Sequence, residues 1–163
     1  MILIALGSNL DSRWGSPQQT LMAAVAEMQR QQIKVVSLST FITTTPMGPQ
    51  NQPMYVNAVA HIETHKSPEA LMRCLLQIER WAGRKRLRRW GPRCLDLDLL
   101  DYHGIIRKPA QTTIKPLALP HPGIAQRRFV LAPLAEIVPC WKHPVSHLTP
   151  ALMLRKLYGL NTI

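Results

Sequence analysis

Four strand-like segments and two helix-like ones, in the order strand–helix–strand–strand–helix–strand, predict an α+β fold. That order is the one of a split βαβ, ferredoxin-like sandwich. Such a sandwich has a mostly antiparallel sheet, with helices on one face and the other face left for an active site. At 163 residues the chain reads as a single domain, 1–163, that can bury a core without disulfide or metal staples.

Residues 2–6 are an apolar run ended by the turn residues Gly7, Ser8 and Asn9, hence a buried strand. From 17 to 31, Leu21, Met22, Val25 and Met28 recur at helical spacing. Residues 33–45 are β-branched and partly alternating, which predicts one strand, and 45–49 form a loop. Residues 54–64 alternate cleanly. Met54, Val56, Ala58, Ala60 and Ile62 share one face, and Tyr55, Asn57, Val59, His61 and Glu63 share the other.

Ser67, Pro68 and Glu69 start a helix, with a capping serine and a proline at the first helical position. Its inward residues are Leu71, Cys74, Leu75, Ile78 and Ala82, and it stops near Gly83. A basic loop follows, then a strand over 95–102. Residues 103–124 are proline-rich and irregular, and 129–134 fit either a last strand or a helix start. Residues 138–163 read as a C-terminal tail without a functional signal.

The formal net charge is +11, so the expected partner is anionic: nucleotide, nucleic acid or an anionic membrane surface. A hydrophobic content of 46% excludes general disorder. No apolar run approaches the roughly 18 residues of a spanning helix, and the start lacks a basic leader region. Cys74, Cys94 and Cys140 form an odd, widely spaced set, which suggests a reduced, cytoplasmic chain. Cys140, His143 and His147 loosely mimic zinc-finger spacing, but no fourth ligand stands nearby. A solvated loop is the better reading there.

The stretch GRKRLRRWGPRCLDLDLL, residues 83–100, carries the chemistry. Asp96 and Asp98 are two apart on a strand and therefore share a face, their Cα atoms roughly 6.5–7 Å apart. Leu95, Leu97 and Leu99 point the other way, into the core. Two neighbouring carboxylates repel unless something cationic sits between them. Magnesium binds through one or two carboxylates plus phosphate oxygens and water, and a pair of such ions can clamp a transferring phosphoryl group.

Taken alone, the acid pair also fits a solvated, salt-bridged strand face. The upstream Arg84, Lys85, Arg86, Arg88, Arg89 and Arg93 favour the phosphate reading, because phosphoryl transfer is catalysed mainly by positioning and charge neutralisation. A basic nucleic-acid-binding module would put two acids in the path of phosphate. Trp90 in that loop suits either stacking on a planar ring or anchoring the loop. Tyr55 and Asn57 together suit a flat heterocycle or an ordinary sheet surface. His121, between two prolines, is held in a defined place.

With these pieces assembled, the sequence resembles the 6-hydroxymethyl-7,8-dihydropterin pyrophosphokinases of folate biosynthesis. The resemblance lies in ALGSNL at 5–10, TTPMGPQNQPMYVNAV at 44–59, IERWAGRKR at 78–86, RWGPRCLDLDLL at 89–100 and LPHPGIAQRRFVLAPLAEI at 119–137. It implies transfer of pyrophosphate from ATP, as co-substrate, to the pterin hydroxymethyl group, leaving AMP. It implies two Mg²⁺ ions on Asp96 and Asp98, catalytic roles for Arg84, Arg93 and Trp90, and a pterin pocket of Thr44, Met47, Tyr55, Asn57 and Phe129. It implies Glu79, Arg86, His121 and Arg127 on the nucleotide side. Leu76, Pro116 and Ala118 stand where some members carry polar residues. A paralogue that binds pterin or nucleotide with little transfer is the alternative within the family. The expected partners are small molecules, with neither nucleic acid nor membrane, and the expected state is a monomer or a weak homodimer.

Overall fold

The N-terminal apolar run forms β1 (Ile2–Ser8), which is paired on both edges and buried along nearly its whole length. The structure, a computed structural model, describes residues 1–47, 51–84, 91–109 and 117–159. Lys85, Arg86, Arg88, Arg89, Trp90 and Pro116, all named from the sequence, lie outside the described residues.

After β1 come α1 (Pro17–Arg30), β2 (Lys34–Leu38), β3 (Ile42–Thr44), β4 (Tyr55–Glu63), α2 (Pro68–Trp81), β5 (Asp96–Tyr102), α3 (Arg128–Ile137) and α4 (Pro150–Leu157). The sheet runs β2-β4-β1-β5, with β3 also paired to β4, and every pairing is antiparallel. This is the split βαβ order predicted from the sequence.

Local signals set the helix starts. The Ser16 side chain caps α1 and Gln19 reaches back to it, a reciprocal box that satisfies two end groups. Ser67 accepts from the Ala70 N–H at 3.2 Å ahead of Pro68. Leu21 and Met28 are buried as expected, but Met22 is exposed, and Thr20 and Ala24 take the inward positions of α1. Both helices pack on one sheet face against Ile2, Ile4, Leu6, Ala60, Ile62, Leu97 and Leu99. Fully burying each of the isoleucine and leucine side chains among them stabilises the fold by about 1.5–3 kcal/mol.

Two expectations are corrected and one open alternative is decided. The single strand over 33–45 is two strands. The β2–β4 register shifts between Val35 and Ser37, and Ser39 then bonds Val59 through both its backbone and its hydroxyl. Thr40 is held by Glu136 of α3, through its N–H at 2.9 Å and its hydroxyl at 2.8 Å. Residues 129–134 belong to helix α3, whose Val130, Leu131 and Leu134 fall on one helical face.

The second sheet face is also not free over its whole length. Leu3, Val59 and Leu100 meet α3, Trp141 and Met153 in a second core, so the C-terminal segment packs on that face, while Cys140 and His147 stay exposed on a loop as expected. The register shift between Leu3 and Ile4 turns both Leu100 and Asp101 toward that core. There the Trp141 indole N–H donates to Asp101 Oδ2 at 2.9 Å.

Candidate active site

Because α3 covers only part of the second face, a cleft of about 290 Å³ remains over the ends of β1, β4 and β5. That is close to the lower bound of small-ligand sites. Its floor follows from register. Gly7 stands between Asn57 and Asp96, and Ala5 between Val59 and Asp98. Two small residues on the central strand therefore hollow the sheet between an amide on one side and two carboxylates on the other. A Cβ on Gly7 would lie 3.1 Å from Asn57 Oδ1.

The amide side is pre-ordered. Asn57 is 5% exposed and donates from Nδ2 to Thr44 Oγ1 at 2.8 Å, which fixes the direction of its amide. Tyr55 donates its hydroxyl to the Gly91 carbonyl at 3.3 Å. Burial raises the Tyr55 pKa; Arg93 opposes that rise, and the phenol stays neutral. Thr44, Met47, Tyr55, Asn57 and Phe129 all line the cleft, so the structure brings the predicted heterocycle set together.

The carboxylate side is ringed by cations. Arg84 Nη1 donates to Asp96 Oδ1 at 2.7 Å, and Arg93 pairs with Asp96 Oδ2. Arg127 reaches Asp98 Oδ2 at 3.4 Å and lies 5.9 Å from the centre of the Phe129 ring. His121 Nε2 is 3.8 Å from the same Asp98 oxygen. The Gly123 N–H donates to His121 Nδ1 at 3.0 Å, so the neutral ring carries its proton on Nε2, toward Asp98.

Glu79 differs from the others. It is 1% exposed, accepts from the Leu97 N–H at 2.8 Å and pairs with Arg84 from behind the sheet end. Its carboxylate thus lies beneath the cleft rather than on it. Burial pulls the Arg84 pKa down, yet Asp96 and then Glu79 outweigh that pull and leave it raised, so the guanidinium stays charged.

Gly7 lines the cleft, and Ser8 and Asn9 beside it hold the segment that carries Arg93. The sequence reading, which had the three as a turn and as part of the resemblance at 5–10, did not assign that role. Ser8 Oγ donates to the Cys94 carbonyl at 2.7 Å, and Asn9 Oδ1 accepts from the Arg93 N–H at 2.7 Å. The signal was a Gly-Ser-Asn at the end of a wholly buried strand, where polar side chains need partners.

A family model for 7,8-dihydro-6-hydroxymethylpterin-pyrophosphokinase matches residues 3–139. A 2-amino-4-hydroxy-6-hydroxymethyldihydropteridine pyrophosphokinase of Haemophilus influenzae is 47% identical over 135 residues, covering 82% of this chain and 79% of its own. The Pseudomonas aeruginosa enzyme of the same name is 36% identical over 154 residues, 93% of this chain and 89% of its own. Among solved structures, a Plasmodium falciparum HPPK-DHPS chain superposes with a TM-score of 0.71 at 13% identity. That match spans 98% of this chain and 45% of the longer one, and it speaks for the fold alone. By family match and by identity over most of its length, the chain belongs to the 7,8-dihydro-6-hydroxymethylpterin-pyrophosphokinase family.

Proposed function

We propose that the cleft between Asn57 and the Asp96–Asp98 pair is where this chain carries out its family's reaction. The chain is an ATP-dependent diphosphotransferase of folate biosynthesis. It moves pyrophosphate from ATP to the hydroxymethyl group of 6-hydroxymethyl-7,8-dihydropterin, leaving AMP. The observation that supports placing this reaction in the cleft is the juxtaposition of a pre-oriented amide with a cation-ringed carboxylate pair across a Gly7–Ala5 floor.

On this reading the pterin edge meets Asn57, held by Thr44, while Tyr55, Met47 and Phe129 enclose the ring. The triphosphate lies along Arg84, Arg93, Arg127 and His121, the groups whose N–H donors already surround Asp96 and Asp98. Glu79 serves the nucleotide indirectly by fixing Arg84. Trp90 and Arg86 are assigned to loop closure and nucleotide contact on the resemblance alone.

The donor set fits Mg²⁺. It offers hard carboxylate oxygens on one strand face, and among the described residues no group of three or more His, Cys, Asp or Glu converges. That suits an ion completed by phosphate and water rather than an all-protein cage. Asp96 and Asp98 would hold two such ions, which when bound would neutralise charge on the phosphoryl oxygens.

The pterin hydroxyl attacks the β-phosphorus in line as the bond from that phosphorus to the α-phosphate oxygen breaks. AMP leaves with that oxygen, and the hydroxyl proton passes to solvent. Arg84 and Arg93 stabilise the developing charge, and a loose transition state needs little help from a general base. This reading needs no partner subunit, and a monomer or a weak homodimer with 1–163 as one pyrophosphokinase domain is part of the proposal. No helix among the described residues is long and apolar enough to cross a membrane. Three free cysteines and the need for ATP support a cytoplasmic site of action.

Incubating the protein with ATP, Mg²⁺ and the hydroxymethyl dihydropterin tests the reading. Pterin-dependent release of AMP, without ADP, is expected. Release of ADP, or AMP formation indifferent to the pterin, would overturn it.

A further inference from the structure

We propose that Asn9 is a positioning residue that ties the pterin side of the cleft to Arg93, so that the two substrates are coupled through one side-chain amide. The inference rests on the placements of pterin and triphosphate given above. Asn9 lies just past β1 and is 2% exposed. Its Oδ1 accepts from the Arg93 N–H at 2.7 Å, and its own N–H donates to the Arg93 carbonyl at 3.0 Å. Its Nδ2 turns the other way, donating to the Pro53 carbonyl at 3.1 Å and to Gln52 Oε1 at 3.4 Å.

Pro53 leads within two residues to Tyr55, and Arg93 leads within three to Asp96. A primary amide has one acceptor oxygen and two N–H donors. Asn9 spends the acceptor on the triphosphate segment and the donors on the pterin segment. Any shift of residues 52–53 when the ring binds is therefore passed to the Arg93 backbone, and the converse holds by linkage. Ser8 stiffens the arrangement by holding the next carbonyl, that of Cys94.

The residue type is specific to this task. Aspartate keeps the acceptor for Arg93 but cannot donate, and it sets a charged oxygen against the Pro53 carbonyl. The alanine side chain serves neither segment and leaves only the backbone N–H on the Arg93 carbonyl. The two substitutions therefore dissect the two arms.

Steady-state constants, normalised to the folded fraction, test the proposal. Asn9→Asp raises the pterin KM about tenfold and holds kcat within about threefold, while Asn9→Ala loses about a further tenfold in kcat. Unchanged constants with only a lowered Tm would mark Asn9 as merely structural and overturn the proposal. Identical effects of the two variants would overturn it as well. Should neither variant fold, amide exchange in the wild type decides: saturating pterin alone slows exchange of the Arg93 N–H, and an unchanged rate contradicts the coupling. A wild type that makes no AMP would remove the activity itself and this proposal with it.

Discussion

Arg84 joins two acids from different elements: it pairs with Glu79 of α2 and donates to Asp96 Oδ1 of β5 at 2.7 Å. The Glu79 side chain is 2% exposed and that of Arg84 10%, so the helix and the edge strand are bound through a desolvated charge pair. Glu79 also takes the Leu97 N–H at 2.8 Å, which locks the strand between its two aspartates. Removing one partner of such a pair leaves the other charge buried and costs about 3–5 kcal/mol. Urea unfolding of Glu79→Ala should show a loss of that size. The loss in Glu79→Ala/Arg84→Ala should be clearly smaller than the sum of the single losses.

Gly7 matters for what it lacks. A methyl group there would press Asn57 Oδ1 from 3.1 Å and turn the amide away from Thr44. Gly7→Ala should fold and bind ATP normally, yet lose about tenfold or more in pterin affinity, the equivalent of about 1.4 kcal/mol. Calorimetric titration with pterin in the presence of a non-hydrolysable ATP analogue measures it.

The second core predicts a stability effect without a kinetic one. The Trp141 N–H is a hydrogen-bond donor to the buried Asp101 carboxylate. Trp141→Phe should cost about 1–3 kcal/mol in unfolding free energy, the penalty for depriving a buried polar group. Substrate KM values, measured below the unfolding transition, should not move.

His143 predicts acid sensitivity in the same region. Burial lowers its pKa, Asp101 opposes that and His147 adds to it, while Nδ1 accepts from the Ser146 N–H at 3.2 Å. A folded pKa below the unfolded value of about 6.5 means that the neutral ring is favoured in the native state. Its contribution to stability is therefore present above about pH 6.5 and is lost as pH falls through the depressed folded value. The fall in Tm between pH 7 and pH 5 should shrink in His143→Gln.

Much of this molecule was legible in its sequence because period and pairing chemistry agree there. Asp96 and Asp98, alternating with three leucines, declared both the face of β5 and its charge, and Ser67-Pro68 declared the start of α2. What stayed hidden depends on partners far along the chain. The break at Ser39 arises from bonds to Val59, and the packing of Trp141 from Asp101 and Leu3, none of which leaves a local pattern. Asn9 looked like a turn residue because its role is fixed by Arg93 and Pro53, 84 and 44 positions away. Glu79 was reached only through the family resemblance, and its burial behind Arg84, beneath the cleft, left no local pattern to read.

The central assignment, that Asp96 and Asp98 hold divalent ions bridging to the triphosphate, is tested most directly by calorimetric binding of a non-hydrolysable ATP analogue across a Mg²⁺ series. In the wild type, affinity should rise steeply with Mg²⁺. In Asp96→Asn/Asp98→Asn, which keeps the shape of both side chains, the Mg²⁺ dependence should vanish while unfolding stays cooperative. A double variant whose affinity still follows Mg²⁺ as the wild type does would contradict it.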